Sequence, residues 1–132
     1  MAERAAEHGV TAVSKAELFA EADILSIHIV LSERSRGLVG ASELATMKPT
    51  SILVNTSRGP IVDEGALVDA LQRQVIACAA IDVHNTEPLP ADHPLLTPHI
   101  AYVSDQLYSV FYNDAVADIA AFVSGSPIRI IG

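Results

Sequence analysis

Residues 51–64 read SILVNTSRGPIVDE, and this stretch decides the fold that the sequence predicts. Its opening run, SILVN, is short and apolar, as in a buried strand. Asp63 then has the position of an N-cap before a helical pattern that extends to about Arg73. Arg58 therefore lies in a turn between a strand and a helix. Ligands of open α/β sheets bind beyond the carboxyl ends of the strands, where a guanidinium can fork onto a carboxylate.

Along the rest of the chain, apolar segments with the periodicity of a helix alternate with short apolar runs typical of strands. They predict an α/β fold with a mostly parallel sheet flanked by helices. Because residues 75–83 are apolar almost throughout, we expect a central strand that is buried on both faces. The apolar stripe of the last helix is expected to pack on the core. Strands are predicted at residues 10–13, 24–31, 51–55, 75–83 and 96–100, and helices at residues 1–8, 15–22, 42–47, 64–73 and 104–123.

The composition narrows the classes of function. A chain of 132 residues, 50% of them apolar, is long enough for a single domain with a hydrophobic core. The formal net charge of -8 argues against a nucleic-acid surface, which needs clustered lysine and arginine. No apolar run approaches the length of a membrane span, and the first residues lack a signal-peptide core. We therefore expect a cytoplasmic protein with neither nucleic-acid nor membrane partners.

Cysteine and histidine give no recognisable metal site. Cys78 is the only cysteine and lies among alanines, so we expect a buried, inert thiol. His84, Asp92 and His93 are close in sequence, but their proline-rich segment lacks metal-ligand spacing, and we expect His84 to be exposed. His28, at a strand end, is expected to be structural rather than a ligand. The sequence predicts no bound metal.

Three segments resemble, in order and spacing, the arginine, glutamate and histidine motifs of the D-isomer-specific 2-hydroxyacid dehydrogenases. They are Asn-Thr-Ser-Arg-Gly at 55–59 with Val-Asp-Glu at 62–64, Asp-Val at 82–83 with Glu-Pro-Leu at 87–89, and Thr-Pro-His-Ile at 97–100. The resemblance covers nearly the whole chain. It implies the second half of a Rossmann-like dinucleotide-binding domain. It also implies an oxidoreductase that interconverts 2-keto acids and D-2-hydroxy acids by hydride transfer with NAD or NADP.

The resemblance implies three catalytic residues. Arg58 would bind the carboxylate and carbonyl of a small 2-keto or 2-hydroxy acid. His99 would be the acid/base that gives a proton to the keto oxygen, and Glu87 would hold His99 in orientation by a hydrogen bond. Taken alone, Arg58 could be a surface ion-pair residue, Glu87 a solvated loop carboxylate and His99 a capped loop residue. The shared motif order favours an inherited site position for all three, and we expect the site not to work in this chain alone.

The resemblance also implies five cofactor contacts. Asp82 would hold the nicotinamide end of the cofactor. Thr56, Ser57 and Ala101 would line it with backbone or hydroxyl groups. Ser35 stands where the family often has a threonine that contacts the cofactor.

The sequence departs from the family pattern in what it lacks. No G-x-G-x-x-G occurs in it, and nothing in it resembles the family's substrate domain. Since the glycine-rich turn and its helix anchor the pyrophosphate, we expect this chain alone to bind the cofactor weakly and to be inactive. Fewer residues than usual precede Thr97, which predicts a shortened strand before His99. Val30 and Tyr102 replace a common proline and a frequent glycine.

The same absence bears on oligomeric state. In the family, the glycine-loop strand lies beside the strand that Ile24 to Leu31 match, so this strand is predicted at an edge of the sheet. A long apolar edge favours pairing with another chain, and we expect a homodimer or higher oligomer through it. Two alternatives stay open. One is a free-standing, non-catalytic α/β protein that self-associates or binds a partner. The other is a working subunit that needs a second chain.

Overall fold

The computed structural model describes residues 2–89 and 104–130, and the chain divides into two units, Met1–Pro98 and His99–Gly132. The predicted α/β class with a parallel sheet is confirmed. Whether the chain is one domain stays a prediction. The first unit contains α1 (Ala2–Glu7), α2 (Lys15–Glu21), β1 (Ile24–Ile27), α3 (Ala41–Leu44), β2 (Ile52–Asn55), a 3-10 turn (Gly59–Ile61), α4 (Glu64–Gln72) and β3 (Cys78–Ile81), and the second contains α5 (Asp105–Val123).

The described sheet has the order β1-β2-β3, with both neighbouring pairs parallel. Alternate residues of each strand point to opposite faces. The core therefore lies on one face, which carries Leu25, Leu53 and Ile81, all at most 9% exposed. The other face carries exposed Ile24 and Cys78, which are aligned with each other across β2.

The expectation that residues 75–83 form a strand buried on both faces is wrong, because β3 spans only Cys78–Ile81 and its outward residues are exposed. A central position for this strand stays a prediction, since the strand predicted at residues 96–100 lies outside the described residues. β3 forms one edge of the described sheet, and Cys78 and Ala80 are exposed. The expectation of a buried thiol at Cys78 is wrong for the same reason. Cys78 lies on the face opposite Ile81, and an apolar run does not reveal which of its alternating residues are covered.

Helix caps were predicted with better success. The Ser14 hydroxyl accepts a hydrogen bond from the Glu17 N–H, and the Glu17 carboxylate accepts one from the Ser14 N–H, which together form a capping box at α2. Asp63 caps α4 by accepting from the Ala66 N–H at 3.0 Å. The cap starts α4 at the position from which Leu67 reaches the core, where it is 2% exposed.

Two predicted strands differ from the structure, one in existence and one in length. Residues 10–13 form no strand, and Val10 and Val13 are 59% and 46% exposed. The strand predicted over residues 24–31 ends at Ile27, where its partner β2 ends at Asn55. There the Ser57 hydroxyl donates a 2.6 Å hydrogen bond to the Ile27 carbonyl. A side chain thus replaces the strand partner, and the backbone leaves the sheet.

The second unit is described by its helix. Ser104 caps α5 by accepting from the Leu107 N–H, and Gly125, at φ +77°, follows its end. No residue of α5 is buried. Packing of its apolar stripe on the core stays a prediction. Apolar residues cover most of its circumference, so the pattern does not single out one buried face. Among the described residues, no helix has both the length and the apolarity needed to cross a membrane.

Candidate functional site

The loop after β2 is fixed by one buried side chain. Asn55, the last residue of β2, is 1% exposed. Its Oδ1 accepts from the Ser57 N–H at 3.0 Å, and its Nδ2 donates to the Arg58 carbonyl at 3.0 Å. The Ser57 hydroxyl joins the same loop to the Ile27 carbonyl. The backbone that carries Arg58 is therefore attached to the carboxyl ends of two neighbouring strands.

Arg58 lies at the edge of the sheet where a substrate was expected. Its side chain is exposed, and its Nη1 donates to the Ser57 carbonyl at 2.6 Å. A cavity of about 390 Å³ is lined by Ser57 and Arg58 on one side and by residues 28–31 on the other. Guanidinium has five N–H donors in a planar fork, so this one contact leaves donors for a carboxylate.

The loop after β3 packs directly on the arginine loop. A β-carbon added to Gly59 would lie 2.1 Å from the carbonyl carbon of His84, so only glycine allows this approach. The Asp82 N–H donates to the Asn55 carbonyl at 3.0 Å. The Glu87 Oε1 accepts from the His84 N–H at 2.9 Å. The loops that carry Arg58, Asp82 and Glu87 thus meet at one edge of the sheet.

This contact also corrects one expectation. His84 was expected to be exposed, but it is 6% exposed. Its backbone packs on Gly59, a tertiary contact that the proline-rich sequence around it does not reveal.

The remaining predicted residues differ in how accessible they are. Thr56 is exposed, and Ser57 and Asp82 are partly buried. Ser35 is only 7% exposed. Its hydroxyl donates to the Val30 carbonyl at 2.8 Å and accepts from the Ser32 N–H at 2.7 Å. Ser35 therefore holds its own loop together, and its contact with a cofactor stays a prediction.

Two predicted site residues, His99 and Ala101, lie outside the described residues. The hydrogen bond between His99 and Glu87 consequently stays a prediction. Within residues 2–89 and 104–130, no group of three or more His, Cys, Asp or Glu side chains could hold a metal ion.

The sequence interpretation gave Asn55 no role, although the residue stood inside the arginine motif. One signal was available. Alternate residues of a strand point to the same face, so Asn55 points to the core face together with Leu53. Its amide therefore had to be buried. A buried amide must find hydrogen-bond partners, and the next turn offers them.

Comparison with known proteins agrees with this geometry. Residues 1–103 match the family model described as the D-isomer specific 2-hydroxyacid dehydrogenase, NAD binding domain. A glyoxylate reductase from Aeropyrum pernix is 45% identical over 126 residues, and the alignment covers 90% of this chain and 38% of that protein.

Solved structures of two oxidoreductases also resemble this chain. The phosphoglycerate oxidoreductase from Vibrio cholerae o395 superposes with a TM-score of 0.77 at 38% identity, covering 94% of this chain and 42% of that one. The NAD complex of the D-isomer specific 2-hydroxyacid dehydrogenase from Lactobacillus delbrueckii ssp. bulgaricus has a TM-score of 0.81 at 28% identity, covering 96% and 44%. The chain thus spans 38% to 44% of the length of these proteins.

Proposed function

Because this chain belongs to the D-isomer-specific 2-hydroxyacid dehydrogenase family, we propose that it forms part of an NAD(P)-dependent enzyme that interconverts 2-keto acids and D-2-hydroxy acids. The observation that carries the proposal is the placement of Arg58. Its loop is attached to the carboxyl ends of β1 and β2, and it borders a cavity at that edge. The name of the relative from Aeropyrum pernix suggests a small substrate such as glyoxylate.

The described residues fit the nicotinamide end of a cofactor. The cavity is lined by residues 28–31 and by Ser57, and Thr56 is exposed in the same loop. Asp82, attached through its N–H to Asn55, would hold the nicotinamide end. When bound, the nicotinamide supplies the hydride. No G-x-G-x-x-G is present in this sequence to hold the pyrophosphate, so these residues would hold only part of the dinucleotide.

The chain's own residues would then act on the keto acid. Arg58 would fork onto the carboxylate, and the same guanidinium would polarise the keto oxygen. This pairing would orient the keto carbon and exclude other binding modes. His99 would give a proton to the keto oxygen, and Glu87 would hold the imidazole in orientation.

Cofactor binding by this chain alone tests one part of the proposal. Calorimetric titration with NAD and NADH should give dissociation constants in the millimolar range or weaker. Binding should be this weak because the sequence lacks the glycine-rich turn that anchors the pyrophosphate. Tight binding would contradict the expectation that a chain without this turn holds the dinucleotide only weakly.

Activity tests the other part. Reduction of glyoxylate by NADH should appear when the rest of the length found in the relatives is supplied as a second chain. Arg58→Gln should then lower kcat/KM by on the order of 100-fold, because two charge-assisted hydrogen bonds are lost. Arg73→Gln is the matched control, since Arg73 is exposed on α4 and pairs with Asp69 at 3.2 Å. Equal activity of the two variants would exclude Arg58 as the carboxylate ligand.

A second candidate role is self-association through the edge formed by β1. The strand lies at one edge of the described sheet, and Ile24 is 65% exposed. Edge strands pair readily with another chain. Light scattering should show a homodimer or higher oligomer that Ile24→Lys dissociates. Val10→Lys, at a 59% exposed residue outside any strand, should leave the oligomer intact. A monodisperse wild-type monomer would contradict this role. Location in the cytoplasm stays a prediction.

A further inference from the structure

The Asn55 side chain makes two hydrogen bonds to the backbone of the loop that carries Arg58. It contacts Ser57 through an acceptor and Arg58 through a donor, each at 3.0 Å, from a position that is 1% exposed. Its own carbonyl accepts from the Asp82 N–H. One buried residue therefore links the turn before the arginine, the arginine itself and the loop that follows β3.

The two side-chain contacts require a short amide. The Ser57 N–H can only donate and the Arg58 carbonyl can only accept, so the orientation of the Asn55 amide follows from its partners. Aspartate would present acceptors to both groups, and leucine would present neither a donor nor an acceptor. Because the site is buried, water does not compensate fully for a lost contact.

We propose that Asn55 is a positioning residue for the reaction, which sets the backbone from which Arg58 reaches the substrate carboxylate. This inference rests on the proposed role of Arg58. Asn55 acts through its neighbours, since both of its side-chain contacts are to backbone groups of the loop. Small displacements of a carboxylate-binding group weaken productive alignment strongly, so a fixed loop matters for catalysis as well as for stability.

The test compares two buried polar residues, Asn55 at the end of β2 and Ser51 directly before its start. Asn55→Asp retains an acceptor for the Ser57 N–H but places a carboxylate oxygen against the Arg58 carbonyl. Ser51→Ala is the matched control: Ser51 is 0% exposed, and its hydroxyl donates to the Lys48 carbonyl at 2.7 Å, at the amino end of the strand. The probe is oxamate, a non-reducible isostere of a 2-keto acid, titrated into each 132-residue chain while the Arg58 Nε–H resonance is followed by NMR.

We expect Asn55→Asp to weaken oxamate binding about tenfold, as for one lost hydrogen bond to a charged or buried group, and Ser51→Ala to leave it within about twofold. Equal affinities for wild type and Asn55→Asp would overturn the positioning role. Equal losses in both variants would overturn it too, since general destabilisation would then explain the effect.

A measurement on the wild-type chain covers the case in which Asn55→Asp fails to fold. The side-chain NH₂ resonances of Asn55 should shift with the same dissociation constant as the Arg58 Nε–H resonance. If Arg58 responds and Asn55 does not, the inference about Asn55 is wrong and the proposed function stands. If Arg58 itself does not respond, its proposed role as the carboxylate ligand fails and the inference fails with it.

Discussion

Gly59 lies so close to His84 that a β-carbon on Gly59 would stand 2.1 Å from the His84 carbonyl carbon and 2.3 Å from its oxygen. The loop that carries Arg58 and the loop that carries Glu87 are thus in contact because one residue has no side chain. In the sequence, Gly59 looks like a simple turn residue. In the structure it sets the separation of two candidate catalytic loops.

Gly59→Ala should lower the free energy of unfolding by about 2 kcal/mol or more, because the His84 peptide must move to admit a methyl group. Urea unfolding followed by circular dichroism measures the change. Gly65→Ala is the control, since a β-carbon there would meet only the Asp63 Oδ1 at 3.5 Å, an ordinary contact. Alanine within α4 should be neutral or stabilising by up to about 1 kcal/mol. Similar effects of the two variants would refute the close contact at Gly59.

Acid stability should depend on Glu43. Its carboxylate accepts from the Lys15 ammonium at 2.9 Å and from the Gly40 N–H at 3.0 Å. These contacts lower the pKa of Glu43 from its ordinary value of 4.5 to about 2. Because the folded pKa is the lower one, the stabilisation is fully present above pH 4.5 and is lost as the pH falls towards 2.

Glu43→Gln should therefore destabilise the protein at pH 6 by roughly 1–2 kcal/mol, a value reduced by solvent screening at a side chain that is 22% exposed. The difference from wild type should shrink below pH 4.5 and vanish near pH 2. Urea titrations at a series of pH values provide the measurement. Glu33→Gln, which removes the same charge from an exposed residue, should show no comparable pH dependence. A constant difference for Glu43→Gln across this range would contradict the assignment.

The exposure of Cys78 predicts that its thiol reacts readily in the native chain. Cys78 is exposed on that face, so a disulfide reagent such as DTNB should label the native chain at a rate within about tenfold of the urea-unfolded chain. The protein concentration should be varied. Protection that grows with concentration would indicate that a second copy covers this face. Protection of a hundredfold or more at every concentration would show that Cys78 is buried.

The structural predictions that were confirmed rest on residues close together in the sequence. The capping box of Ser14 and Glu17 and the Asp63 cap depend on residues three positions apart, so sequence spacing contains the whole interaction. The turn after β2 was recognised for the same reason, and it placed Arg58 at the carboxyl edge of the sheet.

Tertiary contacts were the ones that sequence did not reveal. The apolar run of β3 indicates a strand but not that Cys78 is uncovered. The His84 backbone packs on Gly59, which is distant in sequence. Asn55 is an exception, because its two contacts are with residues two and three positions later and strand alternation indicates its burial, a local signal that was overlooked.

The most direct test of the account is the response of the arginine side chains to a keto-acid isostere. In a chain labelled with nitrogen-15 arginine, oxamate should shift the Nε–H resonance of Arg58 in a saturable manner. Resonances of Arg73 and Arg129, which pair with aspartates on helical surfaces, should stay in place. A saturable shift confined to Arg58 is the predicted result. An unshifted Arg58, or equal shifts of all arginines, would contradict a carboxylate site at the carboxyl edge of this sheet.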